Sequence, residues 1–167
     1  MSDSQNSLLS SKNQWLYQQI EVEFPTKESI EGRALYLSQA QQTSLQPWQP
    51  QSDQAMLPDS IFLVDFHRLT IMFAQLQAKR WEGAEQQSLI VEFLTQIIYS
   101  EPCELYLAFD SGEPIAAAIV TRDDTATLIS DLALNDPALA DSFVAGLIEK
   151  LQLLDCDGDI FVEQMAS

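Results

Sequence analysis

The chain has 167 residues, with 25 Asp and Glu against 8 Lys and Arg, for a formal charge of −17. That length suits one domain, and 46% hydrophobic with 20% charged residues is a globular rather than a disordered balance. The charge excludes a general nucleic-acid or anionic-membrane binder, which needs basic surface to displace counterions from phosphates.

The first residues, Met1 to Ser7, lack the basic and apolar regions of a signal peptide, and no window approaches a membrane span, so a cytoplasmic protein is expected. Cys103 and Cys156 are too few for a disulfide scaffold and read as buried or inert thiols. Residues 1–18, rich in Ser, Asn and Gln, read as a flexible N-terminus, and residues 19–167 as a single domain.

Ile20, Val22 and Phe24 alternate with Glu21 and Glu23, which predicts a short strand ended by Pro25. Thr26 is placed to cap a helix whose apolar stripe is Ile30, Ala34, Leu37 and Ala40. From 41 to 60 the chain turns Pro/Gln-rich, with Pro47, Pro50 and Pro58, and reads as a loop that Trp48 anchors on the domain surface. The apolar run 61–64 fits strand or helix equally. Leu69, Met72, Phe73 and Leu76 predict a helix with Lys79 and Arg80 in its last turn. Leu89, Ile90, Phe93, Leu94, Ile97 and Ile98 predict a second, stopped by Pro102.

The last third is the most legible. Residues 105–109, 114–120 and 127–134 are β-rich and joined by short polar turns, which predicts an antiparallel meander. Asp136 caps a helix with Pro137 at its first position, and Phe143, Val144, Leu147, Ile148 and Leu151 share one face of it. Asp155 to Asp159 turns the chain into a strand at 160–162, parallel to its predecessor across the helical crossover. That acidic turn is not an EF-hand loop, because its glycine is fourth rather than sixth and Ala166 stands at position twelve.

Strand, helix, linker, two helices, three antiparallel strands, helix, strand: this order resembles the GNAT superfamily of acyl-CoA-dependent N-acetyltransferases. Residues 20–29 look like the family's first strand and helix opening. Residues 105–116, with Gly112 in the hairpin, look like its second and third strands, and 127–134 like the fourth. The resemblance implies an α/β (α+β-like) fold with a mixed, mostly antiparallel sheet flanked by helices. It also implies acetyl-CoA as cofactor, a small amine or protein as substrate, Asp131 as general base if burial raises its pKa, and backbone contacts from Leu132, Ala133 and Leu134 to the pantetheine arm.

The family's glycine-rich pyrophosphate loop is not present. Residues 135–141 hold no glycine, Pro137 removes an amide donor, and Asp136 and Asp141 bring carboxylates to a site meant for an anion. The second expectation is therefore a non-catalytic module that docks a basic protein partner. Residues 101–167 carry 14 acids against Arg122 and Lys150 alone, a field that steers such a partner. The chain also lacks the family's closing strand pair, so a homodimer or a folded-back N-terminal segment is expected to cover the sheet edge. His67 is the only histidine, with Asp65 two residues before it, and no metal site is expected.

Overall fold

The computed structural model of the chain describes residues 3–40, 43–49, 55–151 and 158–165. The chain opens on a helix, α1 (Asp3–Tyr17), where composition predicts a frayed terminus. The reason is spacing: Leu8, Lys12, Trp15 and Leu16 recur at i, i+4, i+7 and i+8 on one face, and all four are buried. After a 3-10 turn at Gln18–Ile20 the chain is irregular to residue 26, which corrects the strand expected at 20–24. Ile20 is buried, but Val22 and Phe24 are 58% and 84% exposed, so the alternation meets no neighbouring strand. Helix α2 (Lys27–Ala40) begins where expected, with the Ser29 amide donating to the Thr26 hydroxyl at 3.1 Å.

The Pro/Gln-rich segment contributes a strand, β1 (Thr43–Pro47). Trp48 follows it, half-buried against the core, with its amide donating to the Ile160 carbonyl at 2.8 Å. Pro50 lies outside the described residues. The ambiguous run is a short strand, β2 (Ile61–Leu63), followed by α3 (His67–Ala78) and α4 (Ala84–Leu94). Helix α4 stops well before Pro102, leaving Ile97 buried and Ile98 72% exposed. The meander forms as predicted from β3 (Cys103–Asp110), β4 (Glu113–Arg122) and β5 (Ala126–Leu134). A 3-10 turn at Pro137–Leu139 leads into α5 (Ala140–Lys150), and β6 (Asp159–Met165) ends the fold. The turn before β6, including Cys156, lies largely outside the described residues.

The six strands form one sheet in the order β1-β6-β5-β4-β3-β2, antiparallel except for β5 and β6. The fold is therefore mixed α/β with an open, mostly antiparallel sheet. The edge of β6 is covered by β1, a segment folded back from the N-terminal part. Helices line both faces. Leu105, Leu107, Ala117 and Ile119 pack beneath α1 to α4, whereas Tyr106, Ala108, Ala116 and Ala118 pack beneath α5. This is the period-2 alternation of a sheet buried on both sides. Helices α2 and α4 approach so closely at Gly32 that a Cβ there would lie 2.0 Å from the Leu89 carbonyl oxygen.

Candidate functional site

The register of β5 breaks at its middle. Ala117 pairs with Ala133 and Ile119 with Ser130, so Asp131 and Leu132 together face Ala118, and Asp131 adopts a positive φ of 55°. This is a β-bulge, and the extra residue reverses the alternation beyond it. Ile129 packs with the α5 layer and Ala133 with the opposite layer, although uninterrupted alternation would put both on one face.

A bulge leaves ladder groups unpaired, and here side chains replace the strand. The Asp131 amide donates to Glu163 Oε1 at 3.0 Å, and Gln77 Nε2 donates to the Asp131 carbonyl at 2.5 Å. The carboxylate itself turns towards α1 and α2. Lys12 Nζ lies 2.9 Å from Oδ2, the Tyr36 hydroxyl donates to Oδ1 at 2.5 Å, and the Ser130 hydroxyl donates to Oδ2 at 2.6 Å. Arg80 extends the network: Nη1 donates to Gln77 Oε1 at 2.5 Å, and the guanidinium stacks 5.4 Å from the Tyr36 ring centroid and 5.2 Å from that of Trp81.

Burial favours the neutral carboxyl, but the charges of Lys12 and Arg80 and the Lys12 and Ser130 hydrogen bonds outweigh it, and the Asp131 pKa falls to about 2. Burial likewise opposes the Lys12 charge, yet Asp131 and Glu163 hold its pKa above the ordinary lysine value. The Tyr36 phenol, desolvated and beside Asp131, is pushed well above its usual range. Two cations and two carboxylates thus lie together inside a packed layer, and the ionised, desolvated Asp131 carboxylate is held by Lys12, Tyr36 and Ser130. The condition attached to a general-base role, a pKa raised by burial, is not met: the pKa is lowered, whereas a base for an amine works best with a pKa near the operating pH. Lys12, Tyr36, Gln77 and Glu163 were not singled out from sequence, and Arg80 was expected only as a cation in the last turn of α3, whereas that helix ends at Ala78. The available signal was a lysine on the apolar stripe of α1 and an aspartate inside the apolar run of β5.

Beyond the bulge the strands part. β5 pairs with β6 only from Ala126 to Ile129, so Leu132, Ala133 and Leu134 have β4 on one side and no β6 partner on the other. At the next turn the Asp136 carboxylate accepts the Ala138 amide at 3.0 Å, with Pro137 at the first position, as expected from sequence. The donors that would meet an anion there are partly consumed by the chain's own carboxylate.

A second concave region lies at the opposite end of the meander. A cleft of about 520 Å³ has Trp15, Tyr99 and Pro102 in its wall and Asp65, Glu101, Glu104, Asp123 and Asp124 around it. Its one cation, Arg122, is bound to Glu104 at 2.5 Å. The Asp123 carboxylate accepts the amides of Thr125 and Ala126 at 2.7 and 2.9 Å, which overcomes slight burial and keeps it ionised below the usual range. Trp15 Nε1 donates to the Ser100 hydroxyl at 2.8 Å, fixing the indole at the cleft wall. Tyr99, exposed beside this carboxylate rim, follows the exposed Ile98, whose amide donates to Gln19 Oε1 at 2.8 Å.

His67 is exposed at the start of α3, and among the described residues no group of three His, Cys, Asp or Glu side chains is placed to hold a metal. Cys103 is buried, its pKa pushed up to about 11 by desolvation. No described helix is long and apolar enough to cross a membrane.

No family model matches the chain, and no curated protein does. Among solved structures it is similar to a functionally unknown conserved protein from Staphylococcus epidermidis ATCC 12228, at a TM-score of 0.50 and 8% identity over 64% of this chain. The chain matches 43% of that structure's length, and at this identity the likeness is one of fold alone.

Proposed function

We propose that this chain is a GNAT-like domain whose catalytic position has become structural, and that it works in the cytoplasm as a non-catalytic module docking a basic protein partner. The observation that carries this reading is the state of Asp131: ionised, desolvated and bonded to Lys12, Tyr36 and Ser130. The residues around 135–141 also fit acetyl-CoA poorly, because Asp136 occupies the Ala138 amide and brings a negative charge to the place of a pyrophosphate. The docking side rests on the cleft at the 99–104 and 122–125 end. Aromatic and apolar side chains surrounded by carboxylates are the composition of an interface with a hydrophobic centre and a charged rim. One observation favours retained acyl transfer to an amine: Leu132 to Leu134 lie past the end of the β5–β6 pairing, where strand groups face an opening.

The docking test uses a dye-labelled amphipathic peptide of alternating Lys and Leu pairs, followed by fluorescence anisotropy at roughly 0.15 M salt. Changing Glu101, Asp123 and Asp124 to their amides is expected to weaken binding about tenfold, whereas Asp110→Asn with Glu113→Gln, at the other end, leaves it within about twofold. Equal weakening by both sets would mean that net charge alone attracts the peptide and would overturn the reading.

A further inference from the structure

Six of the eight basic side chains have partners. Lys12 faces Asp131, Lys27 faces Glu31, Arg33 faces Glu21, Arg122 faces Glu104, Arg80 bonds Gln77 and Tyr36, and Lys150 is also engaged. Among the described residues, Arg68 and Lys79 have no ion pair or side-chain hydrogen bond, in a chain that carries 25 carboxylates. Both line one open cleft of about 820 Å³ between α3, α4 and the β3–β4 hairpin. Arg68, Met72, Gln75 and Lys79 recur at i, i+4, i+7 and i+11, so all four lie on a single stripe of α3. The cations stand about 16 Å apart along the axis, at about 1.5 Å per residue. Between them the cleft is lined by Met72, Leu76 and Val91 together with the polar Gln75, Gln87 and Ser88.

We infer that this cleft binds an acidic peptide segment, lying extended along α3 with one carboxylate at Arg68 and another at Lys79. Spacing selects the class. A compact dianion does not span about 16 Å, whereas an extended chain with acids four residues apart, an even spacing that keeps both on one face, spans about 13 Å at about 3.3 Å per residue, and the long Arg68 and Lys79 side chains reach inward over the rest. Glu113, on the hairpin side of the cleft, forms no ion pair with either cation and repels acid from its own rim, which confines the ligand's carboxylates to the α3 side. The peptide's apolar residues then meet Met72 and Val91. This site lies at the hairpin end of the sheet, away from the acidic cleft, and stands independently of the docking reading given above.

The test is amide chemical-shift mapping of the full chain at roughly 0.15 M salt, with the capped pentapeptide EALAE and its uncharged counterpart QALAQ as probes. EALAE is expected to give saturable shifts confined to residues 68–91 and 112–114 with a sub-millimolar dissociation constant, while QALAQ binds at least about tenfold more weakly. Arg68→Gln and Lys79→Gln, each at an exposed position and singly, should each weaken EALAE without changing the melting temperature, and both together should abolish its shifts. Binding of the basic peptide should survive both changes. No shifts with millimolar EALAE, equal shifts with QALAQ, or undiminished binding to the double variant would each overturn the inference.

Discussion

Replacing Lys12 by methionine removes the principal counter-charge of Asp131 while keeping most of the side-chain volume. Both side chains are essentially inaccessible, at 0% and 2% exposure, so water does not replace the lost partner. Breaking a buried pair from one side costs about 3–5 kcal/mol, because the remaining charge is left uncompensated. For a chain of this size each kcal/mol moves the melting temperature by about 2–4 °C, so Lys12→Met should lower it by about 10 °C. The pH profile adds a second signature. Asp131 has a folded pKa of about 2 against an ordinary 3.8. Its contribution, on the order of 2 kcal/mol, is therefore present above about pH 4 and lost as the pH falls towards about 2. Lys12 has a raised folded pKa, so its contribution is present below the ordinary lysine value and lost as the pH rises through the folded one. In Lys12→Met the Asp131 pKa moves up and the acid limb flattens. Urea unfolding followed by circular dichroism at pH values across this window reads both effects. Adding Asp131→Asn to Lys12→Met should recover much of the loss, since no buried charge is then stranded. A cost below about 1 kcal/mol with an unchanged acid limb would refute the buried pair.

Asp136→Ala should cost about 1 kcal/mol in urea unfolding by uncapping the turn before α5, and Asp136→Asn should cost less than half of that. An equal cost for both would mean that the carboxylate acts by charge rather than as an acceptor. Cys103, its thiol pushed up to about 11 by burial, should resist iodoacetamide in the native protein at about pH 8, as read by peptide mapping. Rapid native labelling would mean that the β3–β4 edge opens.

The meander and the helix after it were legible because each signal was local: apolar runs between polar turns, then Asp136 and Pro137 at a helix start. In the N-terminal third only the start of α2 and its Thr26 cap were legible. In α1 the decisive residue is Lys12, a charge on a buried stripe, and its place is set by Asp131 more than a hundred positions away. The alternation at 20–24 was real but found no partner strand, whereas Thr43–Pro47, with no alternation to mark it, became a strand because β6 offered an open edge. Asp131 itself stood out in the sequence, but its role was not legible. A bulge turns it out of the expected alternation, and α1 and α2 supply the cation and hydroxyl that lower its pKa instead of raising it.

Asp131, on the reading proposed above, is held in a structural ion pair and does not serve acyl transfer. Calorimetric titration with acetyl-CoA up to millimolar concentration, with a parallel thermal melt, tests it most directly. The account predicts no saturable heat and no rise in melting temperature. A saturable isotherm with a micromolar dissociation constant, accompanied by stabilisation that Asp136→Ala strengthens, would contradict it.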